Sequence, residues 1–291
     1  MTFASSLFEK RFFDQRLFYI KRDDLLHPDF SGNKARKFEY FLAHDFPKIK
    51  RVVSYGSNQS NAMYSLSVLA KMKNWEFVYF CDHIPSFLKQ NPVGNYKYAL
   101  QNKMKMFESK NREHEAHLLE DETTLVIEEG GRQKEAEFGL KNLAQELLKD
   151  IERFKINDPY IFLPSGTGTT ALFLQKHLPF NVYTCSTVGG DDYLIDQWKM
   201  ADEAIHKFPL ILSSAKKYHY GKLYKEAYGI WDKLKTSMDV EFDLLYDPIG
   251  WLKFLENIDS MEGTPIYIHQ GGLKGNESMQ ARYERKYGKI I

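Results

Sequence analysis

The chain has 291 residues, 43% hydrophobic and 27% charged, the composition of a globular protein large enough for two modest lobes around a shared cleft. Its 40 Lys and Arg almost cancel its 39 Asp and Glu, which excludes a general attraction to nucleic acid or to an anionic membrane. No stretch approaches the ~20 apolar residues of a membrane span, and the two cysteines, Cys81 and Cys185, sit in apolar runs without a ligand-spaced partner. Acidic and basic residues from Glu9 to Arg16 break the aromatic N-terminus, so no secretory signal is expected. A reduced, cytoplasmic protein is the default expectation.

Phe18-Tyr19-Ile20 reads as a short strand leading into the corner Lys21-Arg22-Asp23-Asp24. After the Ser31-Gly32 pair, Phe38, Phe41 and Leu42 share one face of a helix predicted over Ala35 to Ala43. Arg51–Tyr55 is a buried strand, ended by Gly56 and the polar run Ser57 to Asn61, with a helix carrying Met63, Leu66 and Leu69 behind it. Strands are predicted at Glu76–Cys81, Met104–Phe107 and Leu125–Ile127, a solvated helix with its connection in the charged stretch 109–122, and an amphipathic helix over Gln133–Leu148. Tyr160–Leu163 runs into Pro164-Ser165-Gly166-Thr167-Gly168-Thr169-Thr170 and a further helix. Strand-like runs recur at Val182–Cys185, Leu210–Leu212, Phe242–Leu245 and Ile266–Ile268, separated by helical stretches. Strands alternating with helices predict parallel sheets of α/β type, whose ligands sit at the carboxyl ends of strands.

Two stretches at such ends carry chemistry. Lys34 follows a flexible Ser-Gly pair and opens a helix, a position where a lysine can be held rigidly and partly desolvated, as a Schiff-base lysine requires. Gly166 to Thr170 is the best phosphate cradle in the chain: its glycines let backbone amides converge on an anion at a helix start, and Thr167, Thr169 and Thr170 add hydroxyl donors. No lysine follows that turn, which disfavours a nucleotide-phosphate loop of the Walker type. A solvated lysine and a threonine-capped turn are the bland alternatives, and it is the pairing of the two stretches that argues against both.

The order Lys21-Arg22-Asp23-Asp24-Leu25, Gly32-Asn33-Lys34-Ala35-Arg36-Lys37, Gly56-x-x-Gln59-Ser60-Asn61, Glu129-Gly130-Gly131-Arg132, Gly166 to Thr170 and His269-Gln270-Gly271-Gly272 resembles the 1-aminocyclopropane-1-carboxylate deaminase/D-cysteine desulfhydrase family. The resemblance implies pyridoxal 5'-phosphate (PLP) as cofactor and the tryptophan-synthase-β-like architecture (PLP fold type II): two lobes, each a mostly parallel sheet flanked by helices. It further implies a larger cofactor-binding lobe from 1–44 and 159–291, a smaller inserted lobe at 45–158, and a homodimer. Within the family pattern Lys34 carries the cofactor, Ser60 works on the substrate side, and Asn61 meets the cofactor's phenolic oxygen. Ser60 and Asn61 are equally suited to capping the helix they open. Gly130-Gly131-Arg132 is expected to be structural.

The family typically carries Asp-Pro-Val-Tyr followed by Glu or Thr, and Asp247-Pro248-Ile249-Gly250-Trp251 departs from it. Gln270 is the expected neighbour of the pyridine nitrogen, and Tyr218, Tyr220 and Tyr246 are candidates for the missing phenol, with Tyr220 favoured because Gly221 follows it. The leading expectation is a PLP-dependent deaminase or lyase acting on a small amino acid such as 1-aminocyclopropane-1-carboxylate or D-cysteine. A β-replacement enzyme of the same fold, or a PLP-binding protein that has lost turnover, are the alternatives.

Overall fold

The computed structural model describes residues 3–30 and 32–288, so Ser31 of the lysine motif lies outside the described residues. The chain opens with a hairpin, β1 (Leu7–Phe13) and β2 (Arg16–Arg22), followed by α1 (Gly32–Ala43). Next come β3 (Arg51–Tyr55), α2 (Asn61–Lys73), β4 (Glu76–Cys81), α3 (Ser86–Gln90), α4 (Gly94–Gln101), β5 (Lys105–Glu108), α5 (Arg112–His117) and β6 (Thr124–Ile127). The rest comprises α6 (Ala136–Phe154), β7 (Pro159–Ser165), α7 (Thr169–His177), β8 (Val182–Ser186), α8 (Asp191–Ala201), β9 (Leu210–Ile211), α9 (Lys225–Met238), α10 (Asp247–Asn257), β10 (Thr264–His269) and α11 (Asn276–Tyr287).

The strands form two sheets. One has six strands in the order β1-β2-β10-β7-β8-β9, parallel except for β1, and the other has four parallel strands in the order β5-β4-β3-β6. The apolar face of α6 (Leu140, Leu143, Leu147) packs with Ile161, Leu163 and Ile266 of the six-stranded sheet. Phe38, Phe41 and Leu42 of α1 join Val52, Leu66 and Leu69 in the core over the four-stranded sheet. α1 thus starts at one lobe and buries its apolar stripe in the other, which sets Lys34 between the sheets.

A buried ion-pair network fixes that start. Arg36 reaches Asp23 at 2.9 Å and Glu146 at 2.7 Å, while Lys21 reaches Asp150 at 2.8 Å and Glu146 at 3.0 Å. The Lys21-to-Asp24 corner is therefore architecture: it ties β2, α1 and α6 together. Removing one partner of such a pair leaves an uncompensated buried charge, so α1 has one favourable seat.

The strand expected at Phe242–Leu245 is not formed. Its backbone is claimed by side chains: Leu244 N donates to Asn276 Oδ1 at 2.7 Å, and Leu245 N and Tyr246 N donate to Asp243 Oδ1 at 2.8 and 2.6 Å. An aspartate that takes amides two and three residues on stabilises a turn and withholds those donors from a ladder.

Candidate functional site

A cavity of about 140 Å³ opens between the lobes at the carboxyl ends of β2, β3, β7 and β10. Lys34, Ser60, Asn61, Gly166, Thr167, Gly168, Thr170, Tyr220 and Gln270 all line it, and Thr169 lies buried directly behind Gly168 in the same turn. The residues singled out in the sequence are thus brought to one place.

The lysine wall is built first. Gly32 has φ +68, and a side chain there would run into the carbonyl of Gln270; only glycine meets both conditions without strain. Asn33 N donates to Gln270 O at 3.0 Å and Asn33 Nδ2 donates to Gln270 Oε1 at 2.8 Å. Gln270 Nε2 in turn donates to Pro164 O at 2.6 Å. Gln270 is a clamp between the first turn of α1 and the ends of β7 and β10, with both ends of its amide in use. His269 beside it is buried and held neutral, its Nδ1 accepting from Gly271 N at 3.1 Å and its Nε2 donating to Glu241 O at 2.7 Å.

Lys34 projects inward with Nζ 3.4 Å from Asn33 Oδ1. Desolvation lowers its pKa from 10.5 to about 8, against the pull of Asp243 in the other direction. One turn on, Lys37 lies in the same cavity with its pKa driven well down, by burial and then by Lys34. Lys37 Nζ donates to Gly130 O at 3.0 Å and stands 3.5 Å from Thr167 Oγ1. In the Gly130-Gly131 turn, with φ of +71 and +72, Gly131 packs on the Lys37 stem and the Phe38 ring while Gly130 lines the cavity beside Thr167.

The opposite wall is the turn into α7. Gly168, at φ +70, has its carbonyl accepting from Trp198 Nε1 at 3.0 Å. The first amides of a helix have no partner within the helix, and here the residues that open α7 line the cavity, with a buried Thr170 Oγ1 that lacks a hydrogen-bond partner. An orphaned buried hydroxyl at a glycine-lined helix start, with a lysine across the gap, is the donor set an anionic phosphate needs. The residues present fit the phosphate of PLP.

Ser60 is the N-cap of α2: its Oγ accepts from Ala62 N at 3.1 Å and Met63 N at 3.4 Å, and its hydroxyl also hydrogen-bonds the Tyr79 phenol. Asn61 Oδ1 accepts from Asn95 Nδ2 at 2.6 Å, and its amide hydrogen-bonds Asp243, which leaves one N–H for a ligand.

Four residues before Asp247-Pro248 the chain offers a second stretch with a tyrosine and an acid. Asp243-Leu244-Leu245-Tyr246-Asp247 has the same Asp-x-x-Tyr-acid spacing, and Asp243, Tyr246 and Asp247 all line the cavity. Gly250 and Trp251 point elsewhere: a side chain at 250 would press on Pro164, and Trp251 is core, stacked 4.6 Å from Tyr267. In the stretch from Asp243 to Asp247, Leu244 and Leu245 stand where the pattern quoted above has Pro-Val. Tyr246 OH pairs with Tyr220 OH at 3.0 Å, while Tyr218 packs on Tyr224 outside the cavity. Burial holds the Tyr246 phenol far above its ordinary pKa, so it is a proton carrier and not a phenolate. Asp247 Oδ1 accepts from Tyr267 OH at 2.6 Å; burial, and then Asp243 nearby, push its carboxyl well up. Glu129 completes the lining, also raised by burial, with Arg112 at 3.2 Å pulling it back.

No protein-family model matches the chain. A Thermotoga maritima protein provisionally named 1-aminocyclopropane-1-carboxylate deaminase is 25% identical over 288 residues, covering 88% of this chain and 89% of that one. Among solved structures, an ACC deaminase homologue superposes with a TM-score of 0.75 at 22% identity, covering 91% of this chain and 87% of that one. The chain is similar to both over most of its length. A threonine deaminase superposes with a TM-score of 0.69 at 14% identity, covering 93% of each chain, and the shared architecture is that of type II PLP enzymes. No helix among the described residues is long and apolar enough to cross a membrane.

Proposed function

We propose that the protein is a PLP-dependent deaminase or lyase acting on an amino acid, with Lys34 as the cofactor lysine. The observation that carries this reading is one cavity holding an amine with its pKa brought to about 8, a phosphate cradle with an uncommitted Thr170 hydroxyl, and a buried carboxyl, Asp247. When bound, PLP supplies an electron sink for the bond broken at the substrate's α-carbon.

The chain's own residues do the rest. The amides from Gly166 to Thr170, with the Thr170 hydroxyl and Lys37, hold the phosphate; an anion beside Lys37 restores the charge that burial suppresses. Asp247, an ionisable carboxyl, would serve the pyridine nitrogen and help keep it protonated, which the neutral amide of Gln270 cannot do. Asn61 offers its free N–H to the ring oxygen. Ser60, at the start of α2, receives the substrate carboxylate and is placed to pass a proton. Lys34, near neutrality, takes and returns the proton at the α-carbon. Tyr246, packed on Gly166 and bonded to Tyr220, is the phenol that the Asp247-Pro248 register lacked. Its presence beside Asp247 favours turnover over a pocket that has lost it.

Borohydride reduction after incubation with PLP, followed by peptide mapping, is expected to fix the cofactor on Lys34, and Lys34→Ala to abolish that attachment with the far-ultraviolet dichroism unchanged. 1-Aminocyclopropane-1-carboxylate and D-cysteine, which the kinship suggests, are the first amino acids to assay for keto acid and ammonia. Attachment at Lys37 alone, or a retained cofactor with no turnover of any amino acid, would refute the proposal.

A further inference from the structure

Beyond the Tyr220–Tyr246 pair lies a second cavity of about 320 Å³, against about 140 Å³ for the first. The two share Ser57, Asn61, Tyr220 and Asp243, so they are adjoining compartments of one cleft. The second is walled by apolar side chains from both lobes, among them Phe87 and Leu88 of α3, Leu245, and Met279 of α11.

Its outer side carries two guanidinium groups, Arg282 and Arg285 of α11. Arg282 donates to Gly221 O at 2.6 Å, next to Tyr220, and Arg285 lies over the Phe87 ring at 5.3 Å, bridging the lobes. Glu277 on the same helix is paired with Lys97 at 3.2 Å. Asp243, on the inner wall facing Lys34, is the only carboxylate lining this cavity among the described residues. An apolar chamber thus ends in positive charge without an acid partner.

We infer that this chamber is the side-chain compartment of the substrate site, and that its amino acid carries a long apolar side chain ending in an anionic group, in the simplest case a carboxylate. The inference rests on reading the first cavity as the cofactor site. The cyclopropane ring or a cysteine side chain would leave most of this chamber to water. Each methylene laid along its walls favours binding about fourfold, and a terminal carboxylate meets the planar forks of the arginines.

Calorimetric titration of the holoenzyme with 1-aminocyclopropane-1-carboxylate, D-cysteine, and both enantiomers of norleucine and of 2-aminoadipate tests this. The last two differ chiefly in the terminal carboxylate. One enantiomer of 2-aminoadipate is expected to bind about tenfold or more tighter than norleucine, and norleucine tighter than the two small amino acids. Arg285→Gln and Arg282→Gln should each cut that advantage severalfold and leave norleucine unchanged. Ala281→Trp, at an exposed helical position lining the chamber, should weaken both long ligands and spare the small ones. Tightest binding by a small amino acid, equal binding of norleucine and 2-aminoadipate, or an advantage that survives both arginine substitutions would overturn the inference. Absorbance of the lysine-bound cofactor in the same samples tests the underlying reading separately. Its absence would defeat the cofactor assignment, while the order of affinities still decides the chamber.

Discussion

Lys34→Met is expected to make the cofactor-free protein more stable at pH 7 while removing its chemistry. Folding moves the Lys34 amine from water to a desolvated wall, and its pKa falls from 10.5 to about 8. At pH 7 the amine is charged in both states, so the folded state carries the full desolvation penalty. That difference, at about 1.4 kcal/mol per tenfold change in proton affinity, is a penalty of roughly 3 kcal/mol. Methionine keeps the apolar stem and removes the charge. The sign follows from linkage: between pH 8 and 10.5 the unfolded state binds the proton that the folded state has lost, so wild-type stability rises with pH across that window. Above it the amine is neutral in both states and the advantage of methionine vanishes. Urea denaturation of both apo-proteins at pH 7 and near pH 10.5 reads this directly, because the many tyrosines that titrate in the same range cancel in the difference. A mutant no more stable than wild type at pH 7, or a gap that does not close with rising pH, would refute the electrostatic account of Lys34.

Three further outcomes are expected. Gly166→Val should weaken PLP binding about tenfold or more by blocking approach to the cradle amides, with little change in Tm, since a Cβ there sits 3.4 Å from the Tyr246 ring; equal PLP affinity would make the turn a cap only. Gly168 is the wrong probe, because a side chain there meets Trp198 and Leu194 and would disturb the fold itself. Ser60→Ala should cost about 1 kcal/mol in thermal denaturation and about 100-fold or more in keto-acid production; near-normal turnover would leave Ser60 a capping residue. Asp247→Asn should retain the fold and lower turnover about 100-fold or more, whereas Gln270→Ala, which loosens the Asn33 clamp, should lower turnover less and leave the cofactor's protonation unchanged; the reverse pattern would return the pyridine nitrogen to Gln270.

What could be read from the sequence follows the range of the interactions involved. Buried parallel strands announce themselves locally, and Arg51–Tyr55 and Glu76–Cys81 are formed with the bounds their hydrophobic runs suggest. The helix starts at Gly32 and at Gly166 to Thr170 were legible for the same reason: a glycine-bearing turn at the start of a helix is a local signal. The antiparallel β1 gave no strong pattern, because its solvent side mixes Glu9 and Arg11 with an exposed Leu7. The region from Phe242 to Asp247 failed at both levels. Its apolar run mimics a strand, and only the distant Asn276, together with the carboxyl of Asp243, shows that its amides are committed elsewhere. The placement of Gln270 was beyond reach for a similar reason, since its partners Asn33 and Pro164 are 237 and 106 residues away.

The same loop bears on the proposed cofactor reading. Burial holds Lys34 and Lys37 toward their neutral forms and Asp243 and Asp247 toward theirs, in one cavity. Asp243 is occupied by two backbone amides and Asn61, and Asp247 by Tyr267 and the Asp243 amide. Each group therefore retains affinity for an outside charge of the opposite sign. An anion at the Gly166–Thr170 turn stabilises charged Lys37; a basic ring nitrogen beside Asp247 stabilises its carboxylate. A ligand carrying both at once relieves two desolvation penalties with one binding event, and a bare phosphate or a bare amine relieves only one. That two-ended complementarity is the physical argument for PLP over a simple anion at this site.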